Sequence, residues 1–349
     1  MLERMQRFSQ FMQKQMTLFI FVDIVVALVV GSFYPSLSDR LKPYLPAAMF
    51  VMLYPMMIGV AIRELKQVGK EKSTLLLANI MNFLVSPLIA FLWAVLAFQG
   101  YDPHFIAGWI LKLTVPPAGM VLVWTGLSRG RVESALLIQV VGYLIAIAAV
   151  PLWMYLLAGT FVDIDLMLIS KYVLLIIILP LTLGIITRMG LIRKLGRNHF
   201  QKEVSPFLPP FSSIGMYVVL FTAISGEAPN IIQNLGLIAS LSVSVLVIYP
   251  LMFMISLSIA SWFNIEYPRA IAIAFSSTAK NHGLTLAIAV SAFGGLAILP
   301  PSFLPLFQVL LMLSLWKLSP HIQRVYERQV PSGEFVENTL QYKSSEGSS

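Results

Sequence analysis

Two polar runs interrupt otherwise apolar stretches of this chain. The first is Leu111-Lys112-Leu113-Thr114-Val115-Pro116-Pro117-Ala118-Gly119-Met120. The second is Phe275-Ser276-Ser277-Thr278-Ala279-Lys280-Asn281-His282-Gly283-Leu284-Thr285. In the first, adjacent prolines remove two backbone donors and clash with the preceding turn, and Gly119 loosens the chain just beyond. In the second, hydroxyls, an amide, an ammonium and an imidazole gather within about three helical turns. These groups bind rather than attack. Ser276, Ser277, Thr278, Thr285 and Asn281 offer hydrogen bonds, and Lys280 offers charge. The backbone freed around Pro116, Pro117, Ala118 and Gly119, and the N-termini of restarted half-helices, attract anions. The chemistry indicated is recognition of a small anion or oxyanion.

Other groups keep two readings each. Lys112 lies about one helical turn before the proline pair, so it either joins the site or snorkels to the headgroups. Asp23 is an internal hydrogen-bond or salt-bridge partner, or else a counter-ion for Lys280 or a proton-relay group. His282 is a proton carrier or a neutral, hydrogen-bonded ring. Asn79, Asn82, Gln139 and Tyr143 read as glue between helices. Lys280 has three donors and no acceptor. It serves either as a protonatable group or as a permanent counter-charge. With Cys 0, thiolate metal sites and cysteine nucleophiles are excluded. No G-x-x-x-x-G-K-[ST] loop, no H-E-x-x-H pair and no serine–histidine arrangement stands out. The chain therefore reads as a non-enzyme with no cofactor and no metal. Its driving force is an ion gradient, a membrane potential or the solute's own gradient.

The elements that must position these groups are membrane helices. The 349 residues are 58% hydrophobic and 11% charged, with mean hydropathy +0.81. Soluble proteins carry about 25% charged residues. An ordinary soluble enzyme, a disordered protein and a nucleic-acid binder are excluded. A span needs about 20 mainly apolar residues, and ten candidates follow: 16–34, 44–62, 74–98, 105–127, 133–158, 166–187, 209–225, 235–262, 268–294 and 297–318. The runs are continuously apolar, which excludes the alternation of a membrane β-barrel. The run at 16–34 is too long for a signal-peptide core and is read as a retained first span.

Basic residues set the orientation. If the N-terminus is cytoplasmic, the inner segments hold Arg4, Arg7, Lys14, Arg63, Lys66, Lys70, Lys72, Arg129, Arg131, Arg188, Arg193, Lys194, Arg197, Lys202, Arg269, Lys317, Arg324, Arg328 and Lys343. The outer loops then hold only Arg40 and Lys42. Both termini are thus expected in the cytoplasm, with the net charge of +8 facing anionic lipid. A prokaryotic cytoplasmic membrane is the expected location. The expected organisation is a cytoplasmic segment 1–15, five-helix repeats 16–158 and 166–318, and a loose cytoplasmic tail 321–349.

Five plus five spans place the two repeats in opposite orientations. Pro87 and Pro250 share an offset of 163 with Pro117 and Lys280, while Gly31 and Gly184 are offset by 153. The interrupted spans are the fourth of each half, where discontinuous helices point to a transporter binding site.

At these residues the chain resembles the bile acid/arsenite/riboflavin transporter superfamily, and within it the arsenite efflux permeases. The segments that carry the resemblance are Pro117-Ala118-Gly119-Met120-Val121-Leu122-Val123-Trp124 and Leu286-Ala287-Ile288-Ala289-Val290. It covers roughly residues 15–320. It implies ten helices, a core and a panel domain, and helices 4 and 9 broken and crossing near the midplane. It also implies a small-molecule or oxyanion substrate, with arsenite export in the permease branch and organic-anion import in the bile acid branch.

Three departures bear on substrate and coupling. The permease cysteine is here Ala118, and the permease glutamate is Thr285. Trivalent arsenic prefers thiolate, so arsenite could be held only by hydrogen bonds. Sodium-coupled bile acid relatives carry Glu-x-x-x-Gln-Asn where this chain has Ser276, Lys280 and Asn281. An ammonium cannot ligate sodium, so the expectation is sodium-independent transport, with protons as a candidate coupling ion. The reading from another class is a membrane protein that transports nothing, such as a sensor subunit or an intramembrane enzyme.

Overall fold

A computed structural model describes residues 11, 15–60, 69 and 71–330. Arg4, Arg7, Lys14, Arg63, Lys66, Lys70 and Lys343 lie outside the described residues, as does the tail beyond 330.

The described chain is helical, and eight of its helices are long and apolar enough to cross a membrane. The protein is a polytopic membrane protein. In chain order, α1 is Met16–Phe33, α2 is Pro35–Leu41 and α3 is Leu45–Ile58. Next, α4 (Lys72–Ile80) runs through a π-helical turn, Met81–Val85, into α5 (Ser86–Ala97). After α5 come α6 (Pro103–Thr114), α7 (Met120–Leu127) and α8 (Val132–Leu157). Long helices follow as α9 (Leu166–Leu195), α10 (Leu208–Gln233) and α11 (Leu235–Trp262). The last three are α12 (Tyr267–Thr278), α13 (His282–Ile288) and α14 (Leu299–Gln329).

The predicted fourth and ninth spans are each split in two. Pro116 and Pro117 cannot donate, and Val115 turns extended (φ −69°, ψ 158°) at the end of α6. Span 9 breaks without a proline. Ser276, Ser277 and Thr278 return their hydroxyls to the carbonyls of Ile273 (2.7 Å) and Ala274 (2.8 and 3.1 Å). Such bonds compete with the helix ladder. Asn281 then starts α13 as its N-cap, its Oδ1 accepting from the Leu284 N–H at 3.0 Å.

The helices pack into two groups. α1, α3, α9 and α10 form one, and α4–α8 with α11, α12 and α14 form the other. A mainly apolar groove of about 640 Å³ separates α1 from α11 and α14. Within the first group, glycines set the helix approach, Gly31 and Gly184 among them. A Cβ at Gly31 would lie 2.2 Å from the Ser225 carbonyl oxygen of α10, and one at Gly184 would lie 2.7 Å from the Met57 carbonyl carbon of α3. The first contact joins predicted spans 1 and 7, the second spans 6 and 2. Exchanging the two halves of the chain interchanges these contacts.

One expectation changes at the C-terminus. α14 continues as helix to Gln329, past the point where a loose tail was expected. Tyr326 explains it: buried, it donates its hydroxyl to the Ile265 carbonyl at 2.6 Å. The segment is polar yet anchored.

Candidate anion site at the crossing of two broken helices

The two breaks meet. Pro117 and Lys280 form an antiparallel bridge. The Ala118 N–H donates to the Ala279 carbonyl (2.8 Å) and the Asn281 N–H to the Pro116 carbonyl (3.1 Å). A shift of 163 residues carries the first bond onto the second, the offset already visible between Pro117 and Lys280. The bonds satisfy backbone groups that unwinding would otherwise leave bare in an apolar interior.

Both lysines near the breaks are fully buried. Lys112 stands in the last turn of α6 and donates to the Lys280 carbonyl at 3.0 Å. It does not snorkel. Lys280 donates to Asn82 twice, to Oδ1 at 2.8 Å and to the main-chain carbonyl at 3.2 Å. Asn82 lies in the π-helical turn, a geometry that disturbs the normal ladder and recurs at functional sites. The Asn82 amide continues to the Ser276 hydroxyl at 3.2 Å. On the other side of the break, Asn281 donates to the Tyr143 hydroxyl of α8 at 2.7 Å. Thr285 donates to the Asn281 carbonyl at 2.6 Å.

Neither lysine has a carboxylate within ion-pair distance among the described residues. An ammonium has three N–H donors. Lys112 commits one to the protein and Lys280 commits two. The crossing therefore holds two buried lysine side chains with donor capacity to spare and no carboxylate beside them among the described residues.

Other expected residues fall around this centre. Ser277 shares a hydrogen bond with Ser256 of α11 at 2.8 Å, and Thr278 approaches the Met312 sulfur at 3.9 Å. Both tie helices together. His282 begins α13, and its ring faces the side chain of Gln308 of α14. Asp23 is not brought to the crossing. Lys280 is held by Asn82, and the neighbour of Asp23 is Tyr217 of α10.

Asn82, Tyr143 and Gln308 were not singled out as site residues by sequence, nor was Glu71. For Asn82 the only sequence signal is an amide in a membrane span, shared with Asn79, whose side chain merely returns to the Leu75 carbonyl. Glu71 is 2% exposed and accepts from the Ser134 hydroxyl at 3.1 Å. Arg131 stands 3.2 Å and Arg269 3.5 Å from its Oε1. The Arg131 N–H also donates to the Pro268 carbonyl at 2.7 Å. The cluster ties the starts of α4, α8 and α12. Glu71→Gln leaves two guanidiniums facing each other. A loss of about 2 kcal/mol is expected, below that of a fully buried pair because both arginines are partly hydrated. Thermal unfolding in detergent measures it, and an unchanged midpoint would remove the cluster from the account of stability.

Apolar helices and a polar crossing of two broken helices define a membrane transporter. The chain belongs to the sodium bile acid symporter family, whose model matches residues 46–234. It is 24% identical over 302 residues to an arsenical-resistance protein of Corynebacterium glutamicum, covering 81% of each chain. It is 23% identical over 242 residues to an arsenical-resistance protein of Alkaliphilus metalliredigens, covering 64% of this chain and 68% of that one. It is 24% identical over 281 residues to an uncharacterized sodium-dependent transporter, YocS, of Bacillus subtilis, covering 79% of this chain and 83% of the relative. A family of transporters accords with a non-enzyme.

Proposed function

We propose that this chain is a secondary active transporter of a small anion or oxyanion, working without sodium. The observation that carries the reading is the pair of buried lysines at the crossing, with spare donors and no carboxylate. Buried charge without a partner is costly, and an anionic substrate supplies the missing partner. Lys112, Lys280, Asn281 and His282 bind it, with Pro116, Pro117, Ala118 and Gly119 lending backbone. Ser276 and Thr285 position these groups, and Ser277 and Thr278 brace the break from behind.

The 163-residue relation between the paired hydrogen bonds supports an inverted repeat of five plus five spans. The basic bias supports cytoplasmic termini, and a prokaryotic plasma membrane is the proposed location, as the bacterial relatives suggest. Two relatives are named for arsenical resistance and one for sodium dependence. Lys280 argues against sodium, because its ammonium takes the Asn82 oxygens a cation would need. Arsenite export is the first reading. Import of an organic anion is the second, favoured by the absence of cysteine.

Arsenite accumulation in energised everted vesicles tests this, with sodium present and with sodium replaced by choline. Accumulation equal within about twofold in both is expected. A fivefold stimulation by sodium would overturn the coupling. No accumulation, in vesicles shown to hold folded protein, would move the assignment to an organic anion, with taurocholate as the next probe.

A further inference from the structure

We propose that Gln139 is a specificity-determining residue of the crossing, presenting an amide N–H beside Gly119 that selects an unprotonated oxygen of the solute. This deepens the anion-transport reading and rests on it. Within the sequence, Gln139 and Tyr143 read as glue between helices. In the fold they stand with Gly142 on one face of α8, at spacings of three and four residues. A Cβ at Gly142 would lie 3.2 Å from the Pro117 Cδ, so this face lies directly on the first break. Gln139 is 5% exposed and Tyr143 is fully buried. One turn apart, they reach the starts of both restarted half-helices. Gln139 reaches α7 at its N-cap, Gly119, and Tyr143 reaches α13 at its N-cap, Asn281.

A main-chain donor fixes the direction of these hydrogen bonds. The Leu284 N–H can only donate, and it donates to the Asn281 Oδ1 at 3.0 Å. The end of Asn281 that meets Tyr143 is therefore Nδ2, which donates to the hydroxyl at 2.7 Å. The hydroxyl, used here as an acceptor, gives its own proton to the other side chain it bonds, Gln139. Of the two ends of that amide only Oε1 can accept. The Gln139 Nε2 is left on the far side, 3.4 Å from where a Cβ of Gly119 would stand. Ala118 and Gly119 are half-buried and Met120 is exposed, so a solute can reach this edge of the crossing.

The asparagines of the crossing are already spent. Asn82 gives its Nδ2 to the Ala78 carbonyl at 2.8 Å and to the Ser276 hydroxyl at 3.2 Å, and its oxygens hold Lys280. Asn281 is committed to Leu284 and Tyr143. At Gly119 the Gln139 amide thus adds a neutral donor to the lysine donors, and a solute oxygen without a proton accepts from it. A solute O–H at the same point would face an N–H and find no acceptor, which leaves a buried polar group unpaired. Sites reject near-isosteres in this way. For arsenite the selected oxygen is the ionised one of its monoanion. For an organic anion it is a carboxylate or sulfonate oxygen.

Counterflow by the purified full-length protein in proteoliposomes, with arsenite and with taurocholate as probes, tests this. Gln139→Glu keeps an acceptor for the Tyr143 hydroxyl and puts an oxygen where Nε2 stood. It is expected to raise KM at least about tenfold, with the maximal rate within about threefold. Gln139→Met keeps the length and loses both polar ends, and a rise of about threefold in KM is expected. A residue that merely ties helices together gives the opposite order. Methionine, which abandons Tyr143, would then do the greater harm and lower the unfolding midpoint, while glutamate would pass. That order, or an unchanged KM in Gln139→Glu, would overturn the proposal. If the glutamate variant does not fold, Gln139→Asn withdraws the amide by one methylene and is expected to raise KM about fivefold; an unchanged KM there would overturn it equally. A wild-type protein that exchanges neither probe would sink the anion reading and this inference with it. Exchange by the wild type that Gln139→Glu matches would remove the role of Gln139 alone.

Discussion

Lys280→Ala is expected to lower anion binding and transport by about a hundredfold. The substitution deletes one of the two buried ammonium groups at the crossing. It also strips the Asn82 side chain and carbonyl of the donor that now serves both. Removing one member of a buried, charge-assisted arrangement costs about 3 kcal/mol, which is roughly a factor of a hundred in affinity. A purely structural role would give a different pattern. Each lysine caps a carbonyl beside unwound or π-helical backbone, and cations suit helix C-termini, so loss of a cap alone would lower stability. Lys280→Met separates the two, because it keeps the apolar stem and deletes the charge. Counterflow lost in both variants, at unfolding midpoints near that of the wild type, would assign the ammonium to the anion. Midpoints that fall together with normal flux per folded molecule would reduce Lys280 to a cap.

Gly108→Ala is expected to have the largest effect on folding. A Cβ at this position of α6 would lie 2.2 Å from the Ala297 carbonyl oxygen and 2.8 Å from its carbon. The obstacle is backbone, held in the short 3-10 turn Gly295–Ile298, so no side chain can rotate away. Forcing a methyl into such a contact costs about 1–3 kcal/mol, and the upper end is expected here. The damage should reach the site, because Lys112 stands four residues along α6 on the same face. Moving α6 away from the turn pulls the Lys112 ammonium off the Lys280 carbonyl. Gly236→Ala is the control, since nothing lies within 4 Å of its position. Size-exclusion chromatography after heating should show Gly108→Ala aggregating several degrees earlier than the wild type, with Gly236→Ala unchanged. Equal behaviour of the two variants would show that α6 yields without cost.

The positions of the eight long apolar helices were legible because burial in lipid imposes a local rule. Each helix must be apolar for about 20 residues, and every segment declares that by itself. The first break was legible too, since Pro116-Pro117 cannot sustain a helix whatever surrounds it. The second was legible as polarity rather than as a helix breaker. Its cause, hydroxyls returned to their own helix and Asn281 restarting the next one, is a matter of side-chain direction. The tail past His321 was misread because a polar segment need not be loose. Tyr326 anchors it through a carbonyl 61 residues away.

The sequence by itself determined the membrane class, the long apolar helices, the two interruptions and the 163-residue relation between them. All follow from composition and spacing within single helices, where neighbours in the chain are neighbours in space. Only the tertiary structure decided which groups meet. It turned Lys112 inward to the Lys280 carbonyl, set Asn82 rather than Asp23 on the Lys280 ammonium, and gathered Arg131 and Arg269 on Glu71. Those partners are separated by up to 198 residues. Their choice depends on how helices rotate and pack against one another, which no local pattern encodes.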